Sequence, residues 1–325
     1  MAVYTHLSSA QISAYLAPFA IGELVAFKGI SGGIENTNYF VTTHIAGQPE
    51  QDYVLTLFED LSYAELPYFV DLTEHLVAKG VTVPAPLRDA QGRALSRLAD
   101  KPTLLFPRFA GDHLARSEIG AAHCAIMGAE LARLHIAGQD FTTQRHSHRG
   151  PAWWNHLGPR AAQYIGEEDA TMLMMAIGQY DVMVSQEPAM PNGVIHGDLF
   201  HDNALFNQSQ LSATIDLYNA SNDFLLFDVA IAVNDWCITP DGAIDAALYD
   251  AFLQAYAAVR PFNKAEQKYW NAMLATSAMR FWLSRLETYH GLDAHQREAG
   301  VTVIKDPDVL RDILRQRMLV VHKLP

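Results

Sequence analysis

The sequence predicts an α+β fold in two lobes: a small antiparallel sheet with one main helix, then a larger and mostly helical lobe. Three observations carry this. Strand-like runs separated by Gly and Pro turns fill much of the chain up to residue 106. From about Ala115 the apolar residues switch to helical spacing. Helical patterning resumes after about Phe227, beyond a stretch of loop and short strands at 193–215. A chain of 325 residues is long enough for two domains or one large two-lobed unit. The expected division is 1–107 and 108–325, joined at FPRFAGD.

Each element has its own signal. Ser8 and Ser9 are cap residues for a first helix with Ile12, Tyr15 and Leu16 on one side. LVAFKGISGGIENTNYFVTTHI reads as two strands, 24–30 and 38–45, around a glycine turn. The turn Gly47-Gln48-Pro49 leads into a third strand, DYVLTLFE, which makes a meander. LPYFVDLTEHLVAKG sets Phe69, Leu72 and Leu76 at helical spacing and stops at Lys79-Gly80. Short strands follow at 95–98 and 103–106. EIGAAHCAIMGAELARLHIAG places Ile119, Ala122 and Ile126 on one helical face, continued by Leu131 and Leu134. A cleft between two such lobes is a natural ligand site, here with the segment 106–111 at the connection.

Composition narrows the partners. Half the residues are hydrophobic and 18% are charged, so a sizeable core is available. A formal net charge of −13 argues against nucleic acid, whose phosphates need clustered Lys and Arg. It does not exclude a nucleotide, because magnesium and backbone N–H groups neutralise phosphates locally. The N-terminus has no basic-then-apolar leader, and no apolar run is long enough to span a bilayer. The expectation is a soluble cytoplasmic protein with a small-molecule partner and no membrane partner; the sequence does not give an oligomeric state. Cys124 and Cys237 sit in apolar surroundings and read as core thiols rather than a disulfide.

The stretch VIHGDLFHDNALF presses charged and polar groups into an apolar run. Asp198 and Asn203 lie five positions apart, and Asp216 follows in ATIDLYNAS at the end of a strand-like run. Phosphoryl transfer needs a carboxylate to orient the attacking hydroxyl and oxygen ligands to hold magnesium on the phosphates. Magnesium prefers hard oxygens, which an Asn carbonyl and an Asp carboxylate supply. An Asp, an Asn five later and an Asp beyond a short hairpin is the order of a kinase catalytic loop and metal loop. SGGIENTNY, between the first two strands, stands where a nucleotide-covering turn belongs, and a Gly-Gly turn lets backbone N–H groups approach phosphates.

With these residues the chain resembles the aminoglycoside-phosphotransferase/choline-kinase branch of the protein-kinase-like superfamily. In that branch His-Gly-Asp stands where protein kinases have His-Arg-Asp. It is further similar to the bacterial homoserine kinases of the phosphotransferase-like type. FKGISGGIENTNYFV, YVLTLFE, LPYFVDLTEHLVAKG, GVIHGDLFHDNALF, IDLYNASNDFLLFDVAIAVNDWC and AMRFWLSRL carry the resemblance, in family order, over most of the chain.

The resemblance implies a bilobal kinase-like fold, with 1–107 binding the nucleotide and 108–325 carrying catalysis and the acceptor. It implies ATP and Mg2+ as cofactors and L-homoserine as the small-molecule substrate. Asp198 would be the catalytic base or hydroxyl-orienting carboxylate, His196 would brace the loop, Asn203 and Asp216 would hold the metal, and Asp228 would hold the loop backbone. Ser31, Gly32, Gly33, Asn36, Asn38 and Phe109 would bind the nucleotide. The alternatives are another small alcohol (choline, methylthioribose, hydroxylysine or an aminoglycoside) or an inactive kinase-like binding module.

One departure and several open places remain. The position of the kinase third-strand lysine is Thr56; Lys28 is another source of charge, and Glu65 and Glu74 both qualify as the helix carboxylate. Arg280 and Arg285 are candidates for a carboxylate receptor, and Asp223, Asn234 and Asp235 for an ammonium receptor. RHSH at 145–148 reads as a solvated loop, His135 as a packed histidine, and Trp153-Trp154 as core.

Overall fold

The computed structural model describes residues 3–30, 36–186, 190–292 and 306–325. The chain divides between Ala110 and Gly111 into two compact units. The expected boundary at 107/108 falls at the end of the last strand of the first unit.

In the first unit, α1 (Ser9–Leu16) starts at a capping box: Ser8 Oγ accepts the Gln11 N–H, and Gln11 Oε1 accepts the Ser8 N–H at 2.9 Å. Its buried residues are the expected Ile12, Tyr15 and Leu16. Then follow β1 (Glu23–Gly29), β2 (Asn36–His44), β3 (Gln51–Phe58), α2 (Leu66–Ala78), β4 (Ser96–Leu98) and β5 (Lys101–Pro107). The strands form one antiparallel sheet in the order β1-β2-β3-β5-β4. Strand β2 alternates, with Thr37, Tyr39, Val41 and Thr43 inward. Tyr39 and Val41 join Leu55, Leu57 and Leu105 under Ile12 and Leu16 of α1. Each such aliphatic side chain gains roughly 1.5–3 kcal/mol on burial, which is what pins the sheet register.

The second unit is mostly helical: α3 (Ala121–Ala137), α4 (Pro151–Ala161) and α5 (Glu167–Gln186) precede four short strands. These are β6 (Asn192–Ile195), β7 (Ala204–Asn207), β8 (Gln210–Thr214) and β9 (Ser221–Phe224). Then come α6 (Leu225–Trp236), α7 (Ala246–Val259), α8 (Lys264–Tyr289) and α9 (Asp308–Leu319). The β7–β8 hairpin lies between the paired strands β6 and β9, so the chain leaves β6 and returns along it. Every residue of α6 is buried, and the core around it includes Trp154, Trp236, Trp270 and Trp282. Helix α3 meets α7 at Gly128, where a Cβ would stand 2.1 Å from the Phe252 carbonyl oxygen; no other residue permits that approach. Cys124 and Cys237 are buried free thiols in this core, as expected. Among the described residues no helix is long and apolar enough to cross a membrane.

Candidate active site

The loop HGDLFHDN leaves β6 and is held from behind by α6. Asp228 lies in the first turn of α6 and Asp235 two turns on, so both carboxylates face one way. Asp228 accepts the N–H of His196 at 2.6 Å and that of Gly197 at 2.8 Å. Asp235 accepts the N–H of His201 at 2.6 Å and its Nδ1–H at 2.8 Å. Between them, Trp236 Nε1–H donates to the Leu199 carbonyl at 3.1 Å. The glycine of His-Gly-Asp is required twice over: Gly197 has φ +77°, and a Cβ there would meet the Asn219 carbonyl oxygen at 2.6 Å.

His196 is fully buried, and that burial holds its imidazole below the ordinary value, so it stays neutral. Its Nε2–H donates to the Ile215 carbonyl at 3.0 Å, and its Nδ1 accepts the Asp198 N–H at 3.2 Å. One ring therefore ties Asp198 to the residue before Asp216. Behind it stands a chain of polar groups that the sequence did not reveal. His135 Nε2–H donates to Asp228 at 3.1 Å, and Tyr256 O–H donates to His135 Nδ1 at 2.7 Å. Arg260 donates to the Tyr256 oxygen at 3.2 Å and pairs with buried Glu266 at 2.9 Å. Burial would raise the Asp228 carboxyl, but His135, His196 and the Gly197 N–H outweigh it and hold the group ionised, below its ordinary value. Desolvation likewise holds His135 neutral.

The opposite face of the loop carries the residues from which the sequence reading expects the chemistry. Asp198 is half-buried, with Asn219 Nδ2 at 3.4 Å and Asn203 Nδ2 at 3.5 Å from its Oδ2. Asn203 Nδ2 donates to the Asp198 carbonyl at 2.7 Å, so the amide's donor end is engaged and Oδ1 is what it offers a cation. The Ile215 N–H donates to the Asn203 carbonyl at 2.9 Å, which sets Asp216 beside Asn203. Asp216 is exposed and left-handed, φ 61° and ψ 53°, a conformation costly for a non-glycine residue and characteristic of functional sites. Asn219 is the residue here that the motif reading missed; nothing in YNAS marks it.

Among the described residues, no three His, Cys, Asp or Glu side chains are grouped to hold a metal alone. An Asn oxygen and one Asp carboxylate make a hard two-ligand set instead. That fits magnesium, which keeps waters and substrate phosphates in its remaining positions.

The nucleotide-side expectations lie in the first unit. Ser31, Gly32 and Gly33 fall outside the described residues. Asn36 and Asn38 stand on β2, and Asn38 Oδ1 accepts the Thr56 hydroxyl at 2.7 Å across the β2–β3 register. Buried Thr56 thus takes a structural hydrogen bond where a cation was sought. Lys28 is exposed on β1, and Phe109 is half-buried just past β5. Glu74 pairs with Arg88 at 2.7 Å, and Glu65 accepts from Ser62 at 2.7 and 3.0 Å, so each is engaged elsewhere.

The acceptor candidates sort by what they touch. Asp235 is taken by His201 and by Arg116, whose Nη1–H also donates to the Asp235 carbonyl at 2.6 Å. Asn234 is spent on Leu274, Ser277 and Arg317. Neither has an open side for an ammonium. Asp223 lies on β9 with its carboxyl pushed up to about 6 by burial, and it accepts the Phe224 N–H at 2.7 Å. Arg280 is buried with its guanidinium 3.8 Å from the Phe281 ring centre. Arg145 of RHSH donates to the Ala220 carbonyl, a structural contact.

The phosphotransferase enzyme family matches residues 26–262 of the chain. The chain belongs to that family. A homoserine kinase of Janthinobacterium sp. (strain Marseille) is 39% identical over 98% of this chain and 96% of its own length. The homoserine kinase of Polaromonas naphthalenivorans (strain CJ2) is also 39% identical, over 98% of each. The solved amicoumacin kinase hAmiN, in complex with AMP-PNP, Ca2+ and Ami, superposes with a TM-score of 0.69 over 96% of this chain and 92% of its own. At 15% identity that likeness shows the fold alone, the kinase-like α+β fold that phosphotransferases of this family share.

Proposed function

We propose that this protein is an ATP-dependent homoserine kinase, transferring the γ-phosphoryl group to the side-chain hydroxyl of L-homoserine on the route to threonine. The observation that supports it most is the continuity of the homoserine-kinase relatives over the whole chain together with Asp198 and Asn203 on one loop and Asp216, past β8, tied beside them by the Ile215–Asn203 hydrogen bond. Asp198 accepts the acceptor's hydroxyl proton as the new O–P bond forms and the bond from the γ-phosphorus to ADP breaks. Asn203 and Asp216 would hold Mg2+, which supplies charge neutralisation on the phosphates when bound. His196 keeps Asp198 and Asp216 in register, and the β2 asparagines with 31–33 and Phe109 belong to nucleotide binding.

A screen of ADP release with homoserine, choline, methylthioribose, hydroxylysine and an aminoglycoside tests this. Homoserine turning over best is the expected result; its failure beside another active alcohol sinks the assignment. The position of Thr56 favours one other reading, a binding module that holds ATP without turnover, and the same screen separates it.

A further inference from the structure

Helix α8 presents one face to the catalytic loop. Phe281 packs on Phe200, two residues past Asp198, with ring centres 4.6 Å apart. Arg285 stands one turn further along that face. It is partly withdrawn from water, and burial lowers its pKa against the influence of Asp306, Asp235 and Asp202. Its hydrogen bond among the described residues goes to a backbone carbonyl, that of Asp306, at 2.8 Å. A guanidinium has five N–H donors in a planar fork, and removing it from water without a carboxylate partner is costly. Arg116 at this loop is already matched, since it sits on Asp235 beside the ring of His201. Arg280 is buried and stacked against the Phe281 ring. Among the described residues around the acidic loop with Asp198, Asp202 and Asp216, Arg285 is an arginine whose fork is not spent on a carboxylate.

Resting on the homoserine-kinase reading, we propose that Arg285 receives the α-carboxylate of the acceptor and so makes the site selective for amino-acid alcohols over simple amino alcohols. The fork closes on the carboxylate while the acidic loop suits the ammonium and the metal. Arg285 is then a specificity determinant that leaves the phosphoryl chemistry itself alone.

The test pairs homoserine with 3-aminopropan-1-ol, which is homoserine without its carboxylate. In the wild type, homoserine should be strongly preferred. In Arg285→Gln, kcat/KM for homoserine should fall by about 10²–10³-fold, the cost of leaving one member of a buried charge pair alone. For 3-aminopropan-1-ol it should change less than about threefold, and KM for ATP should hold. Arg285→Lys, which keeps charge and loses the fork, should fall between. An equal loss on both acceptors would make Arg285 a mere support for the 306 backbone and overturn the proposal, as would no loss on homoserine. If the wild type ignores homoserine, the activity reading fails separately. The same comparison on the acceptor actually used then decides: a selective loss on a carboxylate-bearing alcohol sustains the role of Arg285, and an acceptor with no carboxylate ends it.

Discussion

The two faces of the catalytic loop are built on opposite terms. Behind it, Asp228, His135 and His196 have no exposed surface, and the two histidines are held neutral while the aspartate is held ionised. In front, Asp198 is half-buried, Asp216 is exposed on a left-handed backbone, and the side-chain contacts between Asp198 and its asparagines are long. The rear is a finished polar network, worth rigidity. The front is a set of oxygens held in place for something that arrives. Variants should therefore separate: those in front should change turnover at constant stability, and those behind should change both together.

Asp198→Asn is the strongest probe of the front. If Asp198 takes the hydroxyl proton as proposed, removing its charge should slow phosphoryl transfer by roughly 10²–10⁴-fold. Nucleotide affinity and melting temperature should stay close to wild type. A folded, ATP-binding variant with near-normal kcat would mean this loop is not catalytic. The matching probe of the rear is Asp228→Asn, which puts an amide NH2 against the N–H of His196 or Gly197. It should cost about 3–5 kcal/mol of folding stability, the usual price of breaking a buried charged network, read as a lowered denaturant midpoint alongside lost activity. Full stability in that variant would dissolve the contrast between the faces.

A finer comparison sets Asp216 against Asp223, two aspartates flanking the same short segment. If Asp216 holds the metal as proposed, Asp216→Ala should lose most activity and need more magnesium for what remains, whereas Asp223→Ala should retain substantially more. Equal, full activity in both would remove Asp216 from the mechanism.

The smallest effect is on the pH profile of stability. His135 and His196 have folded values below the ordinary 6.5, so the stability they contribute is full above that value and lost as pH falls through their folded values. Asp223 acts in the opposite sense: pushed up from 3.8 to about 6, it costs stability increasingly as pH rises through that window. Melting temperature should fall from pH 7 to pH 5, and Asp223→Asn should make that acid fall steeper. A melting temperature flat across the window in both proteins would argue against neutral histidines behind the loop.

The same division explains what the sequence made legible. That Asp198, Asn203 and Asp216 come together was readable because the order and spacing phosphoryl transfer would need form a pattern along the chain. The sheet and α1 were readable because strand alternation and the Ser8 cap are local signals. The rear was mostly hidden. His135, Tyr256 and Glu266 come from three helices and Arg260 from just past α7, and no local rule links them to the loop. Asp235 did carry a clue that was misread: seven residues after Asp228 on one helix, it had to face the same loop and was never open to a ligand. Thr56 was correctly seen as a departure, but that its hydroxyl goes to Asn38 depends on a cross-strand register.

The polar chain beneath the loop also bears on the order in which the protein can be made. His135 meets Asp228 across 93 residues of sequence and Tyr256 across 121, and Gly128 lets α3 lie directly against α7. A nascent chain emerging N-terminus first has α3 long before it has either partner. The loop itself, at 196–203, is synthesised in the middle of that interval, with no support from α6 until that helix follows and no complete network until α7 and the start of α8 do. The complete support of this loop is thus among the last things the chain acquires during synthesis, and a ribosome stalled before residue 246 holds the loop and α6 without the α7 and α8 groups that finish the network.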